Sequence, residues 1–214
     1  MRLFSNLVDS KLWSFLMKTV DLMILSIWWV LGSLLIVTAG PASAALYKSV
    51  HKTVWLDEGH PTKEFWRAYR ENLKQGCLIS LFFLLAAGFI VYAWLFARYV
   101  GKDTFLGAFY QVVSVLAALL VLVLSLYIFP LLSRYTMKLK TLFILSFTLS
   151  VRHFVRTLVL LILAVVCVLG ILLMPPAAIL LPGIYMFSIE RLMDPVLRAL
   201  YPEEIPAEDP SVRF

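Results

Sequence analysis

Leu22–Gly40 reads LMILSIWWVLGSLLIVTAG, nineteen residues without one ionisable side chain. A helix rises about 1.5 Å per residue, so about 20 such residues cross the hydrocarbon core of a bilayer. A helix that is apolar on every side has no face for water. The run therefore reads as a membrane helix. It extends past Gly40-Pro41 and the small residues Ala42-Ser43-Ala44-Ala45 to about Leu46. Proline lacks an N–H and clashes with the preceding turn, which predicts a kink or break at Pro41.

Four further apolar runs follow: Gly76–Ala97, Phe105–Leu132, Val155–Leu173 and Pro175–Ile189, the last short and interrupted by Pro182-Gly183. The whole chain agrees with this reading. It is 62% hydrophobic and 15% charged, against about half and about a quarter for a soluble domain. Its mean hydropathy is +0.90. The expected fold is all-α, a polytopic membrane helical bundle of about five transmembrane helices with amphipathic interfacial helices. One membrane domain is expected over residues 1–200, then a flexible tail over 201–214 rich in acid and proline. Ala42-Ser43-Ala44 has the form of a signal-peptidase site. The long lead of about twenty residues and the long apolar run before it favour a retained helix.

The net charge of +6 fits a membrane protein's basic loops better than a nucleic-acid surface, and no nucleic-acid partner is expected. Lys48, Lys52, Lys63, Arg67, Arg70 and Lys74 lie in 47–74, and Arg134, Lys138, Lys140, Arg152 and Arg156 in 133–156. With Arg191, Arg198 and Arg213 these are fourteen of the 19 basic residues. The positive-inside rule then predicts a multi-pass cell-membrane protein with its N-terminus outside and its C-terminus cytoplasmic. The segment Leu3–Met17 is expected at the outer interface.

No apolar run carries Asp, Glu, Lys, Arg or His in its middle. Buried ionisable groups usually mark ion paths, so this weighs against a pump, an ion-coupled transporter or a voltage sensor. Phosphate-cradling loops and metalloprotease or hydrolase motifs are absent. Cys77 and Cys167 form no CxxC pair, and His51, His60 and His153 lack metal-ligand spacing. The chain reads as non-enzymatic, with no catalytic, cofactor-binding or metal residues.

Two constellations remain. Gly32, Gly40 and Ala44 share a helical face beside Pro41, and small residues let helices approach closely. That face suits packing within the bundle or against a partner. From Thr62, a candidate cap, to Lys74, Phe65, Trp66 and Tyr69 fall on one face while Arg67 and Arg70 take the other. Such a helix either rests on anionic headgroups or docks a partner through its aromatic and arginine side chains.

Thr38-Ala39-Gly40-Pro41-Ala42-Ser43-Ala44-Ala45-Leu46-Tyr47 resembles the T-x-G-x-A-x-x-A-L-Y sequence of the YesL family of bacterial membrane proteins. Phe65 to Lys74 is similar to that family's F-x-x-x-F-x-x-N-x-K segment, with Tyr69 and Asn72 in matching places, and Phe129-Pro130 fits as well. The family is a domain of unknown function in Gram-positive bacteria, and its genes commonly sit beside carbohydrate ABC importers. The resemblance implies an accessory subunit of such an importer, with its permease subunits as partners. A membrane sensor working with a histidine kinase and a small stand-alone permease are the alternatives. Asp57-Glu58-Gly59-His60 does not match the E-A-A loop by which an importer's permease meets its ATPase.

Overall fold

The computed structural model describes residues 11–101, 104–135 and 137–200. The N-terminal ten residues and the tail 201–214 lie outside these, and with them much of the interfacial segment and the acidic tail expected from the sequence. Among the described residues there are seven α-helices and no strand. They are α1 (Lys11–Gly32), α2 (Ala39–Val50), α3 (Pro61–Val100), α4 (Phe105–Arg134), α5 (Leu139–Arg152), α6 (Phe154–Leu173) and α7 (Leu181–Leu200). The fold is an all-α polytopic bundle, as the composition requires.

Four helices are long and apolar enough to cross a membrane: α1, α3, α4 and α6. The fifth expected span is not among them. Its residues form a short 3₁₀ turn, Pro175–Ile179, and then α7, which carries Glu190, Arg191, Asp194 and Arg198.

The first apolar run also breaks elsewhere than expected. α1 ends at Gly32, eight residues before the end of the run at Gly40, and the chain turns through 33–38. The Thr38 hydroxyl donates to the Gly32 and Leu35 carbonyls, and Ser33 Oγ donates to the Trp29 carbonyl. These hydroxyls occupy carbonyls that a helix end leaves open. Pro41 falls in the first turn of α2, where a missing N–H costs no intrahelical bond.

α2 folds back along α1. Trp29 Nε1–H donates to Ser43 Oγ at 3.1 Å, and Lys18 pairs with Asp57 at 3.2 Å. Asp57 and Gly59 adopt left-handed backbone in the turn that leads into α3. Counting charges put the N-terminal segment and the loop before α3 on opposite sides of the membrane. The ion pair puts both at one end of the molecule.

The expected interfacial helix Thr62–Lys74 is no separate element. Pro61 opens it at the first helical position, and it continues without a break to Val100. The resulting helix of 40 residues is about 60 Å long, about twice the hydrocarbon thickness. Its first half packs against α1 and α2. Lys48–Glu71 at 2.7 Å and Lys52–Glu64 at 3.5 Å tie α2 to that half. The packed core joins Leu25, Leu46, Tyr47, Phe65, Ile79, Ile128, Leu131 and Ile189, all fully or almost fully buried. Past Ile79, α3 pairs with the first part of α4 as a hairpin whose large side chains are mostly exposed.

Candidate functional site

Five residues from four parts of the chain meet in the core. Tyr47 comes from α2, and His51 from the π-helical turn His51–Trp55 that ends it. Arg134 is the last residue of α4, and Glu190 and Asp194 lie one turn apart on α7. Glu190 is only 1% exposed and Tyr47 not at all.

Arg134 organises the group. Its Nη2 donates to Glu190 Oε1 and, at 2.9 Å, to Asp194 Oδ1. Its guanidinium carbon stands 5.7 Å from the centre of the Tyr47 ring, a cation–π arrangement. His51 Nδ1 lies 2.6 Å from Glu190 Oε1. Two acceptors at that distance would repel, so Nδ1 carries the proton and donates to the carboxylate. Burial, and next the Glu190 carboxylate, push the Tyr47 phenol far above its usual range, so it remains an O–H group.

The charges do not cancel. One guanidinium faces two carboxylates, and a protonated His51 would bring the sum to zero. Among the described residues, the Tyr47 hydroxyl, Arg134 Nε and Glu190 Oε2 are buried without a hydrogen-bond partner. Such atoms are costly unless something meets them.

His51, Glu190 and Asp194 offer three potential metal ligands whose atoms lie within 4.8 Å of one another. The donor set suits a divalent cation. The seat, however, is taken: Arg134 Nη2 reaches Glu190 Oε1 and Asp194 Oδ1 and lies 3.2 Å from His51 Nδ1. A metal there would have to expel the guanidinium. What the arrangement does is hold α2, α4 and α7 together through one cation.

The residues singled out from sequence fall elsewhere. Gly32, Gly40, Pro41 and Ala44 are all buried within the chain. A Cβ on Gly40 would clash with Ser80 Oγ and lie 2.8 Å from the Phe129 ring, while one on Gly76 would lie 2.8 Å from the Pro41 ring. Gly40 N–H donates to Ser80 Oγ at 3.0 Å. Here the small residues seat α2 on α3. Phe65 is fully buried, Trp66 meets Trp28 edge-on at 5.3 Å, and the Tyr69 hydroxyl approaches the Gly32 carbonyl. Thr62 makes no cap bond and instead accepts the Trp28 indole N–H at 3.0 Å. Arg67 pairs with Glu64 and Glu71, and Arg70 is exposed. Of the expected docking face, the aromatic half is turned into the core and the arginines face outward.

Sequence reading missed the ionic centre. The only local sign of it is the spacing of Glu190 and Asp194 on one face of α7.

A family model described as "Protein of unknown function, DUF624" matches residues 22–94. That stretch runs from α1 into the exposed half of α3. It holds both sequence motifs and Tyr47 and His51, but not Arg134, Glu190 or Asp194. No curated protein and no solved structure matches the chain.

Proposed function

We propose that this chain is a non-catalytic membrane subunit that acts through contacts with other proteins, as an accessory subunit of a carbohydrate ABC importer. The observation that carries the non-catalytic reading is the use made of its buried charges. They join helices around Arg134, which pairs with Glu190 and Asp194 of α7 while Glu190 also meets His51. The importer half rests on the resemblance to the YesL family. Both motifs of that resemblance lie inside the stretch matched by the family of unknown function.

The orientation that fits best puts the start of α1, the loop before α3 and the basic first half of α3 in the cytoplasm. Arg98, at the far end of α3, is then outside. The turn between α1 and α2 carries Leu34, Leu35 and Ile36, each at least 69% exposed, and the start of α2 that follows it meets α3 at Gly76 and Ser80. We read this turn as the tip by which the α1–α2 hairpin, packed along the cytoplasmic half of α3, meets the bilayer.

Two experiments test this. Full-length chain purified in mild detergent from its own host, grown on polysaccharide, should bring down ABC permease subunits, and Arg67→Glu/Arg70→Glu should reduce their recovery. Recovery of a histidine kinase without a permease would shift the reading to a sensor, and sugar uptake by the chain alone in liposomes would overturn it. For orientation, single cysteines replace Lys18, Lys63 or Arg98 in a chain with Cys77→Ala and Cys167→Ala. An impermeant maleimide should label only the Arg98 site in intact cells. Labelling at the Lys18 site with protection at Lys63 would put the N-terminal end back outside.

A further inference from the structure

Between the exposed half of α3 and the start of α5 runs a groove of about 320 Å³. Leu78, Leu81, Phe82 and Leu85 form one wall, and Leu139 and Phe143 the other. Phe82 and Phe143 meet edge-on at 5.1 Å across it. Its walls are hydrocarbon throughout.

One end of the groove is basic. Lys74 lies one turn before Leu78, on the stripe that continues through Leu81, Phe82 and Leu85. Lys138 and Lys140 flank Leu139 at the start of the opposite wall. All three lysines are exposed, and among the described residues none makes an ion pair. Lys18, Lys48, Lys52, Arg67 and Arg134 by contrast each have a carboxylate. Lys138 and Lys140 also sit at the positive end of α5, whose first turn holds no acidic residue and no side-chain cap. Cations there are destabilising unless an anion meets them.

We propose that this groove binds an anionic phospholipid, with an acyl chain between α3 and α5 and the phosphate among Lys74, Lys138 and Lys140. A ligand must bring a long apolar body and a negative group at one end, and an anionic lipid has both. A second copy of the chain fits less well, since it would bring the same three lysines and a net charge of +6 to the same place.

The probe is a nanodisc of phosphatidylcholine with a minority of phosphatidylglycerol. The full-length chain is extracted from it, and the retained lipids are identified by native mass spectrometry. Phosphatidylglycerol should be retained well above its share of the disc. Each lysine changed to glutamine should lower that enrichment roughly fivefold, the effect expected of one basic residue at an anionic surface. Arg98→Gln, at the other end of α3, should leave it unchanged. Leu85→Trp should fill the groove and displace the bound lipid while the three lysines remain. Retention at the bulk ratio, or enrichment that survives Lys74→Gln/Lys138→Gln/Lys140→Gln, overturns the proposal. So does a parent chain that retains no phosphatidylglycerol and whose mass falls from dimer to monomer with Leu85→Trp, which would assign the groove to a second copy.

Discussion

Ile79 and Phe89 lie ten residues apart on one unbroken helix, and their surroundings have nothing in common. Ile79 is 1% exposed, inside a body built from α1, α2, the first half of α3, the end of α4 and α7. Phe89 is 72% exposed, on a hairpin whose other arm is the start of α4. Hydropathy rises from the first region to the second, while burial by protein falls. In water such a hairpin would be an aggregation surface. In a bilayer, lipid covers what the body covers with its own side chains. The polar groups follow the same division. The body holds paired charges in its interior, and among the described residues the hairpin arms have serine, glutamine and tyrosine as their polar groups between Ser80 and Arg98 and between Phe105 and Leu126.

The sharpest way to break this contrast is to remove the cation at the body's centre. Arg134→Ala leaves Glu190 and Asp194 facing each other in a nearly dry site. Breaking one side of a buried ion pair typically costs about 3–5 kcal/mol. The variant should lose its folded fraction first in a detergent melt followed by fluorescence-detected size exclusion. Arg134→Met with Glu190→Met and Asp194→Leu replaces the charges by apolar groups of similar size and should recover most of the loss. If Arg134→Ala melts with the parent, the centre is not what holds α2, α4 and α7 together.

This centre was the part of the molecule least legible in the sequence. His51 and Glu190 are 139 residues apart, His51 and Arg134 83. Each lies at or just beyond the edge of an apolar run, where a charge looks like an ordinary solvated flank. α4 and α6 were legible almost to the residue, because long runs without interruption admit no other reading. The break near residue 33 was not, since proline is a stronger signal than a serine and a threonine, yet Pro41 sits in a first turn that tolerates it. The junction at Lys74 misled for a related reason. A change from amphipathic to uniformly apolar looks like a boundary between elements, although nothing in Gln75-Gly76-Cys77 stops a helix once Pro41 packs on Gly76. On the helix Thr62–Lys74 the aromatic side of the pattern faces the core and Arg67 and Arg70 are exposed. The residues that cover it, Trp28 and Gly32, lie in an apolar run that showed no sign of having a preferred side.

Glycine separates the two regions with a smaller effect and the fewest assumptions. Gly40 and Gly88 each stand inside a helix, and alanine is the better helix former at both by about 1 kcal/mol at most. Propensity alone thus predicts the same small gain for either substitution. The surroundings differ. At Gly40 the added methyl would enter space held by Ser80 Oγ, the Phe129 ring and the Gly76 carbonyl oxygen, the last at 2.9 Å. Two of these belong to rigid parts of the packed body, so α2 must lift from α3 and lose the Gly40–Ser80 hydrogen bond. Overpacking of this kind costs about 1–3 kcal/mol. At Gly88 nothing lies within 4 Å of the new methyl. Gly88→Ala should therefore change stability by no more than about 0.5 kcal/mol, as for an ordinary surface site. Melting both single variants and the double variant in the same detergent decides the matter, because sites in separate regions should add. A loss at Gly88 as large as that at Gly40 would mean that protein, not lipid, covers the hairpin, and the division between the two halves of α3 would fail.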